Sequence, residues 1–513
     1  MPPDRLPLPR RLAIAWVATT LVAGGYLGQI LSADNRLYMF FDWTDTVLVL
    51  SWITVVGLTL GFILHEVGRK TRWQSDRWLS PWFYFVGVLI IFNNNLLPRE
   101  TLVRFAPWLS PQLYYLIIWG AGLVLTGAGY RCRSWRKGAH VGWQVMFVLW
   151  PILLIIPYSL AIAPKWENIR GDPAQLGMRS NGDSPALVVI ILDAVGYAEA
   201  FNPDGLVHDD LTHLAEFSSS AMVFHRATSG GYYTGTSLPS LFFQQEVMYP
   251  ILHNETVRWQ IRGRASEPPR SPRDFERALP YRFRDAGGRS VYLGFYLPYK
   301  KIMPDAWSEA LILPVSGAVY KDNRYSLTSR SLFHLIRYVG ISKDPVSALL
   351  KQFGIHGLVF DKHWRVMTAE LQEAAETYIR ECLSSGDLLI IHLNIPHSPY
   401  VYNADGNPVR DSRDPLAYRR QLQYADGLFG RLLADVKSRG LWDSSWVVML
   451  SDHGRHNHDW NHDPEGKRHV PFMVKAPGQK ERRDIDTPIR LVDFHRIPGF
   501  ALPGNVGSSI QQE

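Results

Sequence analysis

The chain has 513 residues, a formal net charge of +7, 46% apolar residues and two cysteines, Cys132 and Cys382. That length accommodates more than one domain, and two cysteines exclude a disulfide-built scaffold. An excess of basic residues would ordinarily raise nucleic-acid binding, but the region before Pro164 carries all of it. The charge therefore belongs to topology, and no nucleic-acid partner is expected.

The first third of the chain is apolar. Stretches of spanning length run over residues 12–31, 47–64, 79–97, 113–130 and 141–163, each near the roughly 20 residues that a bilayer core demands. The basic start MPPDRLPLPRR resembles a signal peptide, but no small-residue cleavage site follows, so the first stretch reads as a retained helix. Arg5, Arg10 and Arg11 precede the first stretch, Arg69, Lys70, Arg72 and Arg77 follow the second, and Arg131, Arg133, Arg136 and Lys137 follow the fourth. The opposite loops hold only Arg36, Arg99 and Arg104. By the positive-inside rule the amino terminus is cytoplasmic, and five spans leave everything after Ala163 outside. Cys132 and Cys382 then lie on opposite sides of the membrane and cannot pair.

Residues 164–185 are polar and rich in Gly, Pro and Asn, which reads as a linker, and residues 186–513 form one large α/β domain. Its first apolar run, ALVVIILD, stops at Asp193. A β-branched run closing on an acid reads as a buried parallel strand that delivers a polar group at its carboxyl end, where open α/β sheets place their sites. Next comes ATSGGYYTGTSLPSLFF, with hydroxyls at Thr228, Ser229, Thr234, Thr236 and Ser237 ahead of a short apolar helix. A hydroxyl among the free N–H groups of a helix start can serve as an activated nucleophile, while a Gly-rich turn with a Ser or Thr cap is the plainer account of the same residues.

SVYLGFY at 290–296 predicts another strand, and DLLIIHLNIPHSPY a further one with His397 just beyond it. DPLAYRRQLQYADGLFGRLLADVKSRG has helical periodicity and a Gly stop before SWVVMLSDHG, which closes on Asp452 and His453. Adjacent Asp and His can ligate one metal, or two neighbouring metals, from a tight turn. The following RHNHDWNHDPEGKRH adds His456, His458, His462 and His469, and VPFMVK at 470–475 predicts a last strand. Strands alternating with helices give βαβ units and a central, mostly parallel sheet.

Taken together, VVIILDAVG, TGTSLPSLFF, HLNIPHSPYVYNADG, VVMLSDHG and HVPFMVKAPG resemble the alkaline phosphatase superfamily in its sulfatase-like branch. Five spans before such a domain resemble the lipid A phosphoethanolamine transferases and the lipoteichoic acid synthases. That resemblance implies a nucleophilic Thr five residues before a Pro, which is Thr234 counted from Pro239. It also implies a metal held by Asp193, Thr234, Asp452 and His453. His397 and a late histidine, His462 in preference to His469, would meet a second metal or the substrate phosphate. The cofactor expected is Zn²⁺, one ion or two, with Mn²⁺ as the alternative.

Two departures bear on substrate. The transferases usually carry Glu where this chain has Asp193, and they are stapled by disulfides that this domain cannot form. The C/S-x-P-x-R motif that matures to formylglycine in sulfatases is also missing, since Ser237-Leu238-Pro239-Ser240 continues with Leu241. The implied enzyme is a phosphoester transferase of a bacterial inner membrane, with its catalytic domain periplasmic or extracellular. Its partners would be a membrane phospholipid donor and an envelope lipid or glycan acceptor. A hydrolase of the same fold, phosphodiesterase or sulfatase, and a non-catalytic membrane scaffold are the alternatives.

Overall fold

The computed structural model describes residues 184–313, 355–455 and 468–500, apart from a few positions within them, together with Ser51, Val55, Thr59, Phe62, Ile63 and Glu66. Apart from those six residues, the expected spans and the linker up to residue 183 lie outside the described residues, as does His462. Among the described residues no helix is long and apolar enough to cross a membrane. The chain divides into two compact units, Met1–Lys165 with Ala318–Phe353, and Trp166–Gly317 with Gly354–Glu513.

The second unit is built on an eight-stranded sheet. In chain order its strands begin with β1 (Leu187–Leu192) and β2 (Met222–Phe224), followed by β3 (Ala227–Thr228), which stands outside the main sheet. β4 (Val247–His253) and β5 (Thr256–Ile261) form a separate antiparallel pair. β6 (Ser290–Phe295), β7 (Glu309–Leu313), β8 (Leu388–Leu393) and β9 (Trp446–Ser451) return to the main sheet. β10 (Phe472–Lys475) and β11 (Arg483–Ile485) complete it, and β12 (Ile489–Arg490) pairs with β3. The order across the main sheet is β11-β2-β10-β9-β1-β8-β6-β7.

The five strands from β9 to β7 are mutually parallel, and β1, β6, β8 and β9 are buried along their whole length. This is the apolar, two-sided burial that a parallel sheet imposes. The 470–475 run is a strand as expected, and β10 lies antiparallel to β9 beside the parallel strands, which keeps the sheet mostly parallel. β10 is the next strand in the chain and pairs directly beside β9, and such neighbours need no crossover to run antiparallel.

Helices cover the sheet. We label α1 (Thr212–Ser218), α2 (Thr234–Phe243), α3 (Ile355–Glu381) and α4 (Ala417–Ser438). On α4, Gln421, Leu422, Ala425, Phe429, Leu432 and Val436 are buried, a stripe at three- and four-residue spacing. The buried Asp426 of the same helix accepts from the N–H groups of Leu214 at 2.7 Å and His213 at 3.1 Å, so it caps the exposed donors at the start of α1. Register then positions the site. Leu192 is level with both Leu393 and Ser451, which brings Asp193, Asn394 and Asp452 to one edge of the sheet.

Candidate metal centre and nucleophile

Asp193 and Asp452 leave adjacent parallel strands and are both buried. Their loops are tied together: Ala194 N–H donates to Asp452 Oδ1 at 3.3 Å and Val195 N–H to Ser451 Oγ at 2.8 Å. Ser451 Oγ in turn donates to the His453 carbonyl at 2.8 Å. Ala194 adopts a φ of 64°, the left-handed region that lets the chain turn sharply after Asp193.

Thr234 is the first residue of α2, and its buried hydroxyl donates to Asp452 Oδ2 at 2.8 Å and lies 3.3 Å from His453 Nε2. The other hydroxyls of the segment face elsewhere. Ser229 donates to the Gly231 carbonyl, Thr236 and Ser237 donate to the Tyr233 carbonyl, and Ser240 donates to the Thr236 carbonyl. Among these, Thr234 alone is turned toward the acids.

The imidazoles carry their protons away from this point. His453 Nδ1 lies 2.9 Å from the Gly454 carbonyl, which can only accept, so Nδ1 holds the proton and Nε2 presents a lone pair. That Nε2 faces Asp193 Oδ1 at 3.4 Å and Asp452 Oδ2 at 3.5 Å. Sequence reasoning did not find His392, the fifth residue of β8. Tyr292 gives its hydroxyl proton to the Phe295 carbonyl at 3.1 Å and therefore accepts from His392 Nδ1 at 3.3 Å. His392 Nε2 is left as a second lone pair, buried without a hydrogen-bond partner, 4.0 Å from Asp452 Oδ2. Burial pushes this imidazole down to about 4, with Asp452 opposing the shift, so it is neutral at physiological pH.

Asp193, His392 and Asp452 thus offer ligand atoms within 4.8 Å of one another. Four acceptors, Asp193 Oδ1, Asp452 Oδ2, His453 Nε2 and His392 Nε2, lie close together, and among the described residues the Thr234 hydroxyl donates into them. Among the described residues Asp193 Oδ1 is buried with no hydrogen-bond donor, and burial followed by the neighbouring Asp452 raises its carboxyl well above the ordinary range. Burial also raises Asp452, but the neighbouring histidines together with the hydrogen bonds from the Thr234 hydroxyl and the Ala194 N–H offset it, and the net shift is downward. Such a donor-poor, mixed N and O set fits a divalent cation.

His397 sits beside this group, its ring centroid 6.4 Å from that of His453. Gln421 on α4 holds its loop. The amide oxygen accepts from Val401 and Tyr402, and the amide nitrogen donates to the carbonyls of Pro396, His397 and Pro399. His469 is not brought to the group. Its ring stacks on Tyr197 at 4.3 Å, and Nε2 donates to the His225 carbonyl at 2.7 Å. The 468–470 segment bonds to Ser229 and Ala227 beside β3, and that pairing fixes His469 there.

A family model for sulfatases matches residues 185–496. The chain belongs to the sulfatase family. Membership makes it an enzyme, a hydrolase or a transferase, on a metal-dependent fold. Arylsulfatase K of Xenopus laevis is similar to it, 30% identical over 107 residues that make up 19% of this chain and 20% of that protein. Arylsulfatase K of Danio rerio is 31% identical over 75 residues, 14% of each chain. The chain therefore spans a fifth or less of these curated relatives. Among solved structures, i-CgsB in complex with k-i-k-neocarrahexaose is 15% identical with a TM-score of 0.41, over 61% of this chain and 70% of that one. The phosphonate monoester hydrolase of Agrobacterium radiobacter is 13% identical with a TM-score of 0.38, over 60% and 72%.

Proposed function

We propose that this sulfatase-family enzyme is a membrane-anchored phosphoester transferase that works outside a bacterial inner membrane. It takes a phosphoethanolamine or phosphoglycerol group from a membrane phospholipid and passes it to an envelope lipid or glycan through a phospho-Thr234 intermediate. The observation that carries this reading is the Thr234 hydroxyl at the start of α2, 2.8 Å from Asp452 Oδ2. Ser237, which lies in the nearest approach to a formylglycine motif, spends its hydroxyl on the Tyr233 carbonyl instead.

In the first half-reaction Thr234 Oγ1 attacks phosphorus, and its proton passes to His397, the imidazole beside the acceptor set. The Oγ–P bond forms, the bond from phosphorus to the lipid glycerol oxygen breaks, and the departing oxygen takes up a proton. In the second, a hydroxyl of the acceptor displaces Thr234 from phosphorus. Asp193, Thr234, Asp452 and His453, with His392, would hold Zn²⁺, which supplies Lewis-acid polarisation of the phosphoryl oxygens and lowers the pKa of a bound hydroxyl. His397 stands where it can hold a proton for the departing or attacking oxygen.

Anchoring is supported by the apolar stretches and by their basic loops. Within the second stretch, Val55, Phe62 and Ile63 lie at helical positions with about half their surface exposed. Transfer to water instead of a lipid or glycan would make the same site a hydrolase, which the family match favours equally.

The deciding experiment is the intact mass of the detergent-purified chain after incubation with phosphatidylethanolamine or phosphatidylglycerol. A covalent adduct on wild type that is absent from Thr234→Ala names both donor and nucleophile. An adduct that persists on Thr234→Ala removes the mechanism.

A further inference from the structure

Arg455 lies two residues beyond His453, and its guanidinium carbon stands 4.4 Å over the ring of Tyr418. That ring is a fixed platform. Tyr418 is buried at the start of α4, and its hydroxyl donates to the carbonyl of Ala194, the residue after Asp193, at 3.1 Å. Tyr400 meets the same ring edge-on with centroids 5.8 Å apart. The guanidinium is therefore held on an aromatic base that is itself tied to the backbone next to Asp193.

Arg455 is half-buried, and no carboxylate among the described residues comes within ion-pair distance of it. Neighbouring arginines of the domain are paired: Arg419 with Asp210, Arg468 with Glu246, Arg482 with Asp484 and Arg490 with Asp493. An arginine cannot shed its proton, so a partly dehydrated guanidinium without an anion is left incompletely satisfied. Its planar fork of N–H donors matches a carboxylate, phosphate or sulfate in bidentate fashion, and stacking on Tyr418 orders that fork in advance. Arg455 follows His453 by two residues and its platform bonds to the residue after Asp193, so its fork stands on the segments that carry the acceptors around Thr234 in the proposed reaction.

We infer that Arg455 is a substrate-binding residue that recognises a second oxyanion, one carried by the substrate outside the group being transferred. This rests on the Thr234 site reading and adds to it a preference for substrates with an additional negative group. Either an acidic headgroup of the acceptor lipid or an acidic sugar of the acceptor could supply that group.

The test is calorimetric binding of two non-reacting probes, phenylphosphonate and para-phosphonobenzoate, to the zinc-loaded full-length chain. Both carry the phosphonate, and only the second has a distant carboxylate. Wild type is expected to bind the second about tenfold more tightly, about 1.4 kcal/mol. Arg455→Ala should bring the two affinities together while leaving phenylphosphonate unchanged, and Arg455→Lys should keep a part of the preference. Equal affinities in wild type, or a preference that survives Arg455→Ala, would overturn the role of Arg455 alone. Failure of wild type to bind either probe would overturn the phosphoryl-site reading and this inference with it. Displacement of the second probe by glycerophosphoserine or by glucuronic acid phosphate, in wild type and not in Arg455→Ala, assigns the oxyanion to a lipid headgroup or to an acidic sugar.

Discussion

Replacing Asp193 with Asn tests whether the converging acceptors are a metal site or a polar core. Among the described residues Asp193 Oδ1 has no hydrogen-bond donor, and its ligand atom lies within 4.8 Å of that of Asp452. Two ionised carboxylates at that separation repel by about 3 kcal/mol at an effective dielectric constant near 20. The metal-free fold meets this cost either by bearing the repulsion or by keeping a proton on Asp193, whose pKa burial and Asp452 raise. A raised folded-state pKa gives stability that is fully present below the unfolded-state value near 4 and is lost as pH rises through the folded-state value. The Asp193 contribution in metal-free wild type should therefore be lost as pH rises, and Asp193→Asn should lack that loss.

With EDTA the variant is expected to match wild type near pH 4, the unfolded-state value, and to melt higher near pH 8 by up to about 6 °C, taking about 2 °C per kcal/mol for a domain of this size. Zinc should reverse the order. Free Zn²⁺ at about 100 times its Kd adds about 2.7 kcal/mol to wild type and almost nothing to the variant. Scanning calorimetry of the full chain, in EDTA and in zinc at both pH values, reads all four states. A variant that melts below wild type in EDTA near pH 8, or one with an undiminished zinc shift, would refute the reasoning.

Three further outcomes follow from the same geometry. A Cβ on Gly231 would approach Ser237 N to 2.8 Å and also crowd the Thr236 side chain, so Gly231→Ala should displace the first turn of α2. Since a misplacement of about 1 Å costs on the order of a hundredfold, adduct formation at Thr234 should slow by that factor while the melting temperature changes little. His392→Phe keeps the stack on Phe295 but removes both nitrogens, and zinc affinity measured by competition with a chelator should fall at least about tenfold. The same variant has a pH signature: wild-type His392 is held to about 4, so an unfolded chain titrating near 6.5 gains protons first. Metal-free wild type should then lose up to about 3 kcal/mol between roughly pH 6.5 and pH 4, a loss that the Phe variant escapes. Arg289→Ala is the control, because it strands the fully buried Asp387 from a partner at 2.6 Å. It should lower stability by about 3–5 kcal/mol and leave the zinc-induced shift in melting temperature intact.

What was legible in the sequence were the ends of strands. ALVVIILD and SWVVMLSDHG point to Asp193 and Asp452 because each apolar β-branched run delivers an acid at the carboxyl end of a strand, a place that a helix cap or turn could also claim, and parallel register brings the two level. His392 was not legible. Inside LLIIHL one histidine among aliphatic residues reads as core, and what exposes it as a donor is its pairing with Ile191 together with the Tyr292 hydroxyl on its far nitrogen. Gln421 was hidden for a related reason: a glutamine on an amphipathic helix reads as a surface residue, yet it holds the His397 loop by five hydrogen bonds. His469 shows the opposite error. A histidine-rich segment after Asp452 and His453 attracts ligand assignments by proximity in sequence, whereas the bridge from His469 to Thr228 turns that ring onto Tyr197.

The hydroxyl-rich segment could not be resolved from its composition, and the reason lies in how α2 begins. Within TGTS the hydroxyls at Thr236 and Ser237 follow the first helical residue by two and three positions, which lets both reach back to the Tyr233 carbonyl. Thr234 has no turn behind it to bond to, so its hydroxyl must find a partner across the sheet edge, and the nearest is Asp452. The backbone of Gly230 and Gly231 makes this approach possible, since a side chain at Gly230 would meet Ser240 Cβ at 2.5 Å and one at Gly231 would meet the first turn of α2. The helix start thus sorts one hydroxyl toward the acids and retires the others into the fold. Thr234 owes its place as the proposed nucleophile to its position as the first residue of α2, in a segment where other hydroxyls are chemically equivalent to it.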